Sequence, residues 1–73
     1  MNHSKVIVQR RDGSKARGVR VVLSFSSGLS EAVHTDADGI ALIDHATVGR
    51  ADVLVDGSRR GSLHAPGQTV VFI

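Results

Sequence analysis

Apolar residues alternate with polar ones along this chain, and no stretch repeats them at the three-to-four residue spacing of a capped helix. Turn residues break the alternation every ~8–12 positions, the rhythm of a small all-β domain. The first run, Lys5-Val6-Ile7-Val8-Gln9-Arg10, is β-branched and ends at Asp12-Gly13-Ser14. In the second, Val19, Val21, Leu23 and Phe25 share one face while Arg20, Ser24 and Ser26 share the other, so the apolar face is a core face.

A weaker run, Glu31 to Thr35, leads through Asp36-Ala37-Asp38-Gly39 into Ile40-Ala41-Leu42-Ile43, a pattern that predicts a hairpin. Ala51 to Val55 alternates again, reaches Asp56-Gly57 and continues into Arg59 to His64, predicting a second hairpin. Pro66-Gly67 then turns the chain into Thr69-Val70-Val71-Phe72-Ile73. Seven strands result, and the expected fold is an antiparallel two-sheet sandwich forming a single domain over residues 1–73.

Length adds that one small core must stabilise the whole domain, because a chain of 73 residues buries only roughly 60% of its unfolded surface. Cysteine is absent, so neither disulfides nor thiolate zinc can reinforce it. The four histidines, His3, His34, His45 and His64, lack the spacing of a preformed metal site. No metal or other cofactor is expected. The net charge is only +2, although the sequence pI is 9.9, a weak cue for nucleic acid. The N-terminal segment has three consecutive apolar residues, far short of a signal peptide's ~7–15, and no run approaches the ~18 of a membrane span. The expectation is a soluble chain without a membrane partner, cytoplasmic by default.

Three segments together resemble the carboxypeptidase regulatory-like domains, small prealbumin-like Greek-key sandwiches related in shape to transthyretin and to collagen-adhesin B repeats. The first is Val6 and Val8 followed by Asp12-Gly13-Ser14-Lys15-Ala16-Arg17-Gly18-Val19-Arg20-Val21. The second, Thr35-Asp36-Ala37-Asp38-Gly39-Ile40-Ala41, is similar to the family's Thr-Asp-x-x-Gly turn. The third is Gly49 to Gly57. The family's aromatic after the Thr-Asp turn is replaced by Ala41 or Leu42, and its Pro-Gly-x-Tyr by Val48-Gly49-Arg50-Ala51. The resemblance implies an accessory, spacing or adhesion module.

Chemistry drawn from such relatives meets missing partners. Lys5 is placed to be the amine of an isopeptide bond, but Thr69 to Ile73 contains no Asn or Asp to receive it. His3 and Ala37-Asp38-Gly39 echo the transthyretin-type hydrolase that opens hydroxyisourate, yet that motif's following Arg and C-terminal Tyr-Arg-Gly-Ser are absent. Asp36 and Asp38 lack the third oxygen ligand and distal Glu of an EF-hand, so they read as turn residues. His34 and His64 would lie on strands and face one another across the sandwich, or simply stay exposed.

No catalytic set emerges, and the expected function is a non-catalytic interaction or structural module. It would bind a protein or carbohydrate partner, or a second copy of itself through a strand edge such as Thr69 to Ile73. A small transthyretin-type hydrolase and a basic nucleic-acid or anion binder are the alternatives. Nucleic acid is disfavoured because the only aromatics, Phe25 and Phe72, fall on apolar faces. Arg59 and Arg60 are the candidate partner-binding residues, with alternation allowing only one of them on any one face.

Overall fold

A computed structural model describes residues 2–73. The described residues form eight strands and no helix: β1 (Asn2–Gln9), β2 (Arg20–Phe25), β3 (Gly28–Leu29), β4 (Val33–His34), β5 (Ile40–His45), β6 (Gly49–Val55), β7 (Ser58–Ala65) and β8 (Gln68–Phe72). They make two sheets. The smaller has the order β5-β1-β8, and the larger runs β3-β2-β6-β7 with β4 also paired to β2. The strand absent from the sequence reading is β3, a two-residue piece that folds back on the end of β2 after the Ser26-Ser27 turn.

The inward faces alternate as the sequence pattern requires. Val6 and Val8 of β1, Ala41 and Ile43 of β5 and Val71 of β8 meet Val21, Leu23, Phe25, Ala51, Val53, Val55, Leu63 and Ala65 of the larger sheet in one buried cluster. Each such Val, Leu, Ile or Phe contributes about 1.5–3 kcal/mol by leaving water. A β-sandwich architecture fits this arrangement. Val22, on the outward face of β2, is also closed over; it lies beside Leu54 in the register and outside the core cluster.

Two expectations about connection are corrected. Residues 31–43 do not form a hairpin: β4 pairs with β2, whereas β5 pairs with β1, so the Asp36 turn carries the chain from one sheet to the other. The cause is local. The Asp36 carboxylate accepts from the amides of Asp38 and Ile40, and Gly39, at φ +74°, offers its carbonyl to the Val8 amide at 2.8 Å. On the other side Thr35 accepts from the Val19 amide and donates to the Ala16 carbonyl, fixing the outgoing end of β4 to the β1–β2 loop.

Nor is the fold wholly antiparallel, because β8 runs parallel to β1 in the register Lys5↔Gln68 to Gln9↔Phe72. Parallel neighbours need a long intervening connection, and here almost the whole chain separates them. The β6–β7 hairpin forms as expected around Asp56 (φ 50°) and Gly57 (φ 86°), the paired positive angles of a type I′ turn. No helix among the described residues is long and apolar enough to cross a membrane.

Candidate functional site

The four outer strand positions of the sheets are protected very unequally. β3 and β4 are two residues each. β5 carries Asp44 outward and lies against β4. β7 bears Arg59 and Arg60 and a register shift between Val53 and Leu54. Shortness, charge and bulges are the devices that stop strand edges from pairing with other chains. β8, Gln68-Thr69-Val70-Val71-Phe72, has no charged residue, no internal proline and no register shift.

β8 also borders an apolar surface. In the smaller sheet the residues paired across the outward face are Ile40, Ile7 and Val70 in one row, Leu42, Lys5 and Gln68 in the next, and Gln9 with Phe72 in a third. Leu42 is 63% exposed, Val70 45% and Phe72 54%, and Ile7 and Ile40 between them are half-buried. Among the described residues, three of the five exposed large hydrophobic side chains therefore share this face. Phe72 lies on this apolar outward face rather than in the core, because Val71 is the residue of β8 that faces inward.

Arg59 and Arg60 lie on the outward side of the larger sheet. Gly61 pairs with inward Val53 while Arg59 pairs with outward Leu54, so Arg60 is the extra residue of a bulge. The bulge sets both arginines on the outward side, contrary to the strict alternation expected of them. Arg59 Nε lies 3.1 Å from Asp52 Oδ1 and Arg50 Nη2 lies 3.4 Å from the same oxygen, whereas Arg60 makes no ion pair among the described residues.

These arginines belong to a wider asymmetry. The β1–β2 loop carries Arg10, Arg11, Lys15 and Arg17, Arg20 opens β2, and Arg59 and Arg60 begin β7, all at the end of the domain where β8 finishes. Seven of the nine cationic side chains face four carboxylates there, a surplus of three. Asp12, Asp36 and Asp56 at this end are hydrogen-bonded to turn and strand amides. Lys5 and Arg50 against Glu31, Asp44 and Asp52 leave the remainder of the molecule at minus one.

A buried polar pair lies away from the cationic end. The Ser4 hydroxyl is 2.7 Å from His45 Nε2, and His45 Nδ1 is 2.7 Å from the Thr47 carbonyl, so the ring donates from Nδ1 and accepts at Nε2. The Gly67 amide donates to the same hydroxyl at 3.2 Å. Serine beside an oriented imidazole is the arrangement of an activated nucleophile. Here Ser4 is 2% and His45 5% exposed, so no acyl group reaches the oxygen in this conformation. The pair clasps β1, the end of β5 and the β7–β8 turn. Beside it, Phe25, Leu29, Glu31, Asp44 and Thr47 help line an open cleft of about 430 Å³.

Other singled-out residues separate. His3 pairs with Asp44 on the surface. His34 sits opposite Arg20 and His64 opposite Arg50, both on the larger sheet, so they do not face one another across the core. Lys5 lies on the outward face between Leu42 and Gln68. Among the described residues no three His, Asp or Glu side chains converge as a metal site.

No family model and no curated protein matches the chain. Among solved structures it is similar to the Bacillus anthracis TIE protein, with a TM-score of 0.66 at 15% identity. The match covers 99% of this chain and 16% of that one, so the chain spans only a small part of that protein's length. At this identity the likeness concerns the fold alone.

Proposed function

We propose that the chain is a non-catalytic interaction module of the prealbumin-like type that receives a protein strand along β8, beside the apolar face of Leu42, Val70 and Phe72. The observation that carries this reading is the contrast among the edges: β8 alone lacks charge, bulge and shortness. In β-augmentation main-chain hydrogen bonds supply affinity and alternate side chains supply selectivity. In this strand Val70 and Phe72 are the outward alternate positions. The similarity to one segment of a much longer protein supports a module role.

The test is backbone NMR during titration with a synthetic peptide of residues 68–73. Shifts confined to the β8 amides and to the side chains of Leu42 and Val70 support the reading. Shifts centred on β7, or none at millimolar peptide, oppose it.

A second reading, anion binding, is favoured by the cationic end, where Arg10, Arg11 and Arg60 make no ion pair among the described residues. Its signature is binding of an anionic polymer that weakens steeply as salt rises.

A further inference from the structure

We infer that the occupant of the β8 edge is a second copy of this chain, paired antiparallel about Val70 across a two-fold axis. This rests on the reading of β8 as a docking edge and adds the identity of the strand that docks.

Three observations converge. First, the backbone on the free side is in phase for such pairing. Ile73 donates its amide to the Gln9 carbonyl of β1, so by alternation Val71 and Thr69 point their amides toward β1, and Val70 and Phe72 point theirs away. Around a two-fold axis at Val70, Gln68 of one copy then meets Phe72 of the other, all from residues with free backbone groups. A two-fold contact requires this self-complementarity.

Second, charge selects the direction. β8 runs toward the end where cations exceed carboxylates by three, while the rest of the molecule is at minus one. Parallel pairing would set two cationic ends side by side. Antiparallel pairing sets each cationic end beside the less positive end of its partner, twice, by symmetry.

Third, the neighbouring edge of the larger sheet is defended against pairing. Gly61 brings β7 close against β8, since a Cβ there would sit 2.9 Å from Val71 Cγ1, and the bulged Arg59 and Arg60 next to it oppose continued pairing along β7. The product is a six-stranded sheet, β5-β1-β8 joined to its symmetry mate, with both apolar faces on one side.

The chain contains no cysteine, so Val70→Cys gives a protein with a single thiol. Directly opposed, hydrogen-bonded antiparallel residues have Cα atoms about 5.5 Å apart, within disulfide range. Under mild oxidation the inference predicts rapid, near-complete conversion of this variant to a covalent dimer at micromolar protein, at least tenfold faster than a Leu29→Cys control, whose position is the more exposed of the two. Equal rates at the two positions overturn it. Titration of wild-type protein with the 68–73 peptide separates the levels: equal rates with shifts on β8 leave a docking edge that accepts a free strand but not an intact second copy, whereas equal rates without shifts remove both the second copy and the edge. Val70 is already 45% exposed, and a native denaturation midpoint for the reduced variant shows that its fold is unchanged.

Discussion

The Ser4 hydroxyl and the His45 ring, 41 residues apart in the chain, meet at 2.7 Å inside the domain and join the first strand to the fifth. Because Ser4 also accepts from Gly67 while His45 reaches the Thr47 carbonyl, one contact ties four segments. Ser4→Ala leaves the buried Nε2 without its donor, and such an orphaned group costs about 1–3 kcal/mol. Urea unfolding of Ser4→Ala should show that loss with an unchanged slope, without altering any association through β8. A loss well below 0.5 kcal/mol would contradict the role of this pair as a clasp.

Gly39 and Gly57 both occupy positive φ but differ in their surroundings. A Cβ at Gly39 would stand 2.5 Å from the Val8 carbonyl oxygen, whereas at Gly57 nothing lies within 4 Å. Gly57→Ala should therefore cost only the backbone term, about 1–2 kcal/mol. Gly39→Ala adds displacement of the Val8–Gly39 hydrogen bond and should cost clearly more, or prevent folding. Equal midpoints for the two variants in thermal unfolding would contradict this.

Asp36 and Asp12 give the domain an acid limit. The amide of Ile40, then that of Asp38, holds the Asp36 carboxyl below its ordinary value of 3.8; the Ser14 hydroxyl, then its amide, does the same for Asp12. A carboxyl lowered in the folded state stabilises when ionised. Its contribution is complete above the unfolded value and disappears as pH falls through the lower folded value. Stability should thus decline below about pH 4, and Asp36→Asn should flatten that decline relative to wild type. Parallel pH profiles for the two proteins would contradict the assignment.

Asp52 sits between Arg50 and Arg59 with its Oδ1 shielded from solvent and in no aligned hydrogen bond. Both arginine side chains are largely exposed, so Asp52→Asn should cost no more than about 1 kcal/mol. Added salt should shrink the difference, as measured by urea unfolding at low and high ionic strength. A difference that grows with salt would contradict an ion-pair origin.

How much of this was legible beforehand depended on whether the cause was local. The β6–β7 hairpin was, because Asp56-Gly57 itself encodes the required positive φ angles. The Asp36-to-Gly39 turn was recognised but its destination was not: a turn signal reports a reversal, and the bond from Val8 to Gly39 that moves β5 into the other sheet joins residues 31 positions apart. Alternation placed Val21, Leu23 and Phe25 correctly in the core yet gave no hint that Val22 is covered on the opposite face. The β7 bulge could not be read from Arg59-Arg60-Gly61, and it reverses the inference that the two arginines diverge. The outward placement of Val70 and Phe72 is not encoded in the apolar run, which carries no marker of which parity faces inward; the parallel register with β1 decides it. Ser4 and His45 were invisible as a pair, since only the β1–β5 register brings them together.

The most direct test of β8 as the docking edge for a second copy is solution mass by light scattering across a dilution series, on wild type and on Val70→Lys. The account predicts a wild-type mass that rises toward twice the 7.7 kDa of one chain as concentration increases, and a Val70→Lys protein that stays at one chain throughout with its fold intact. A wild type that remains a monomer at every concentration, or a dimer that Val70→Lys leaves undisturbed, would contradict it.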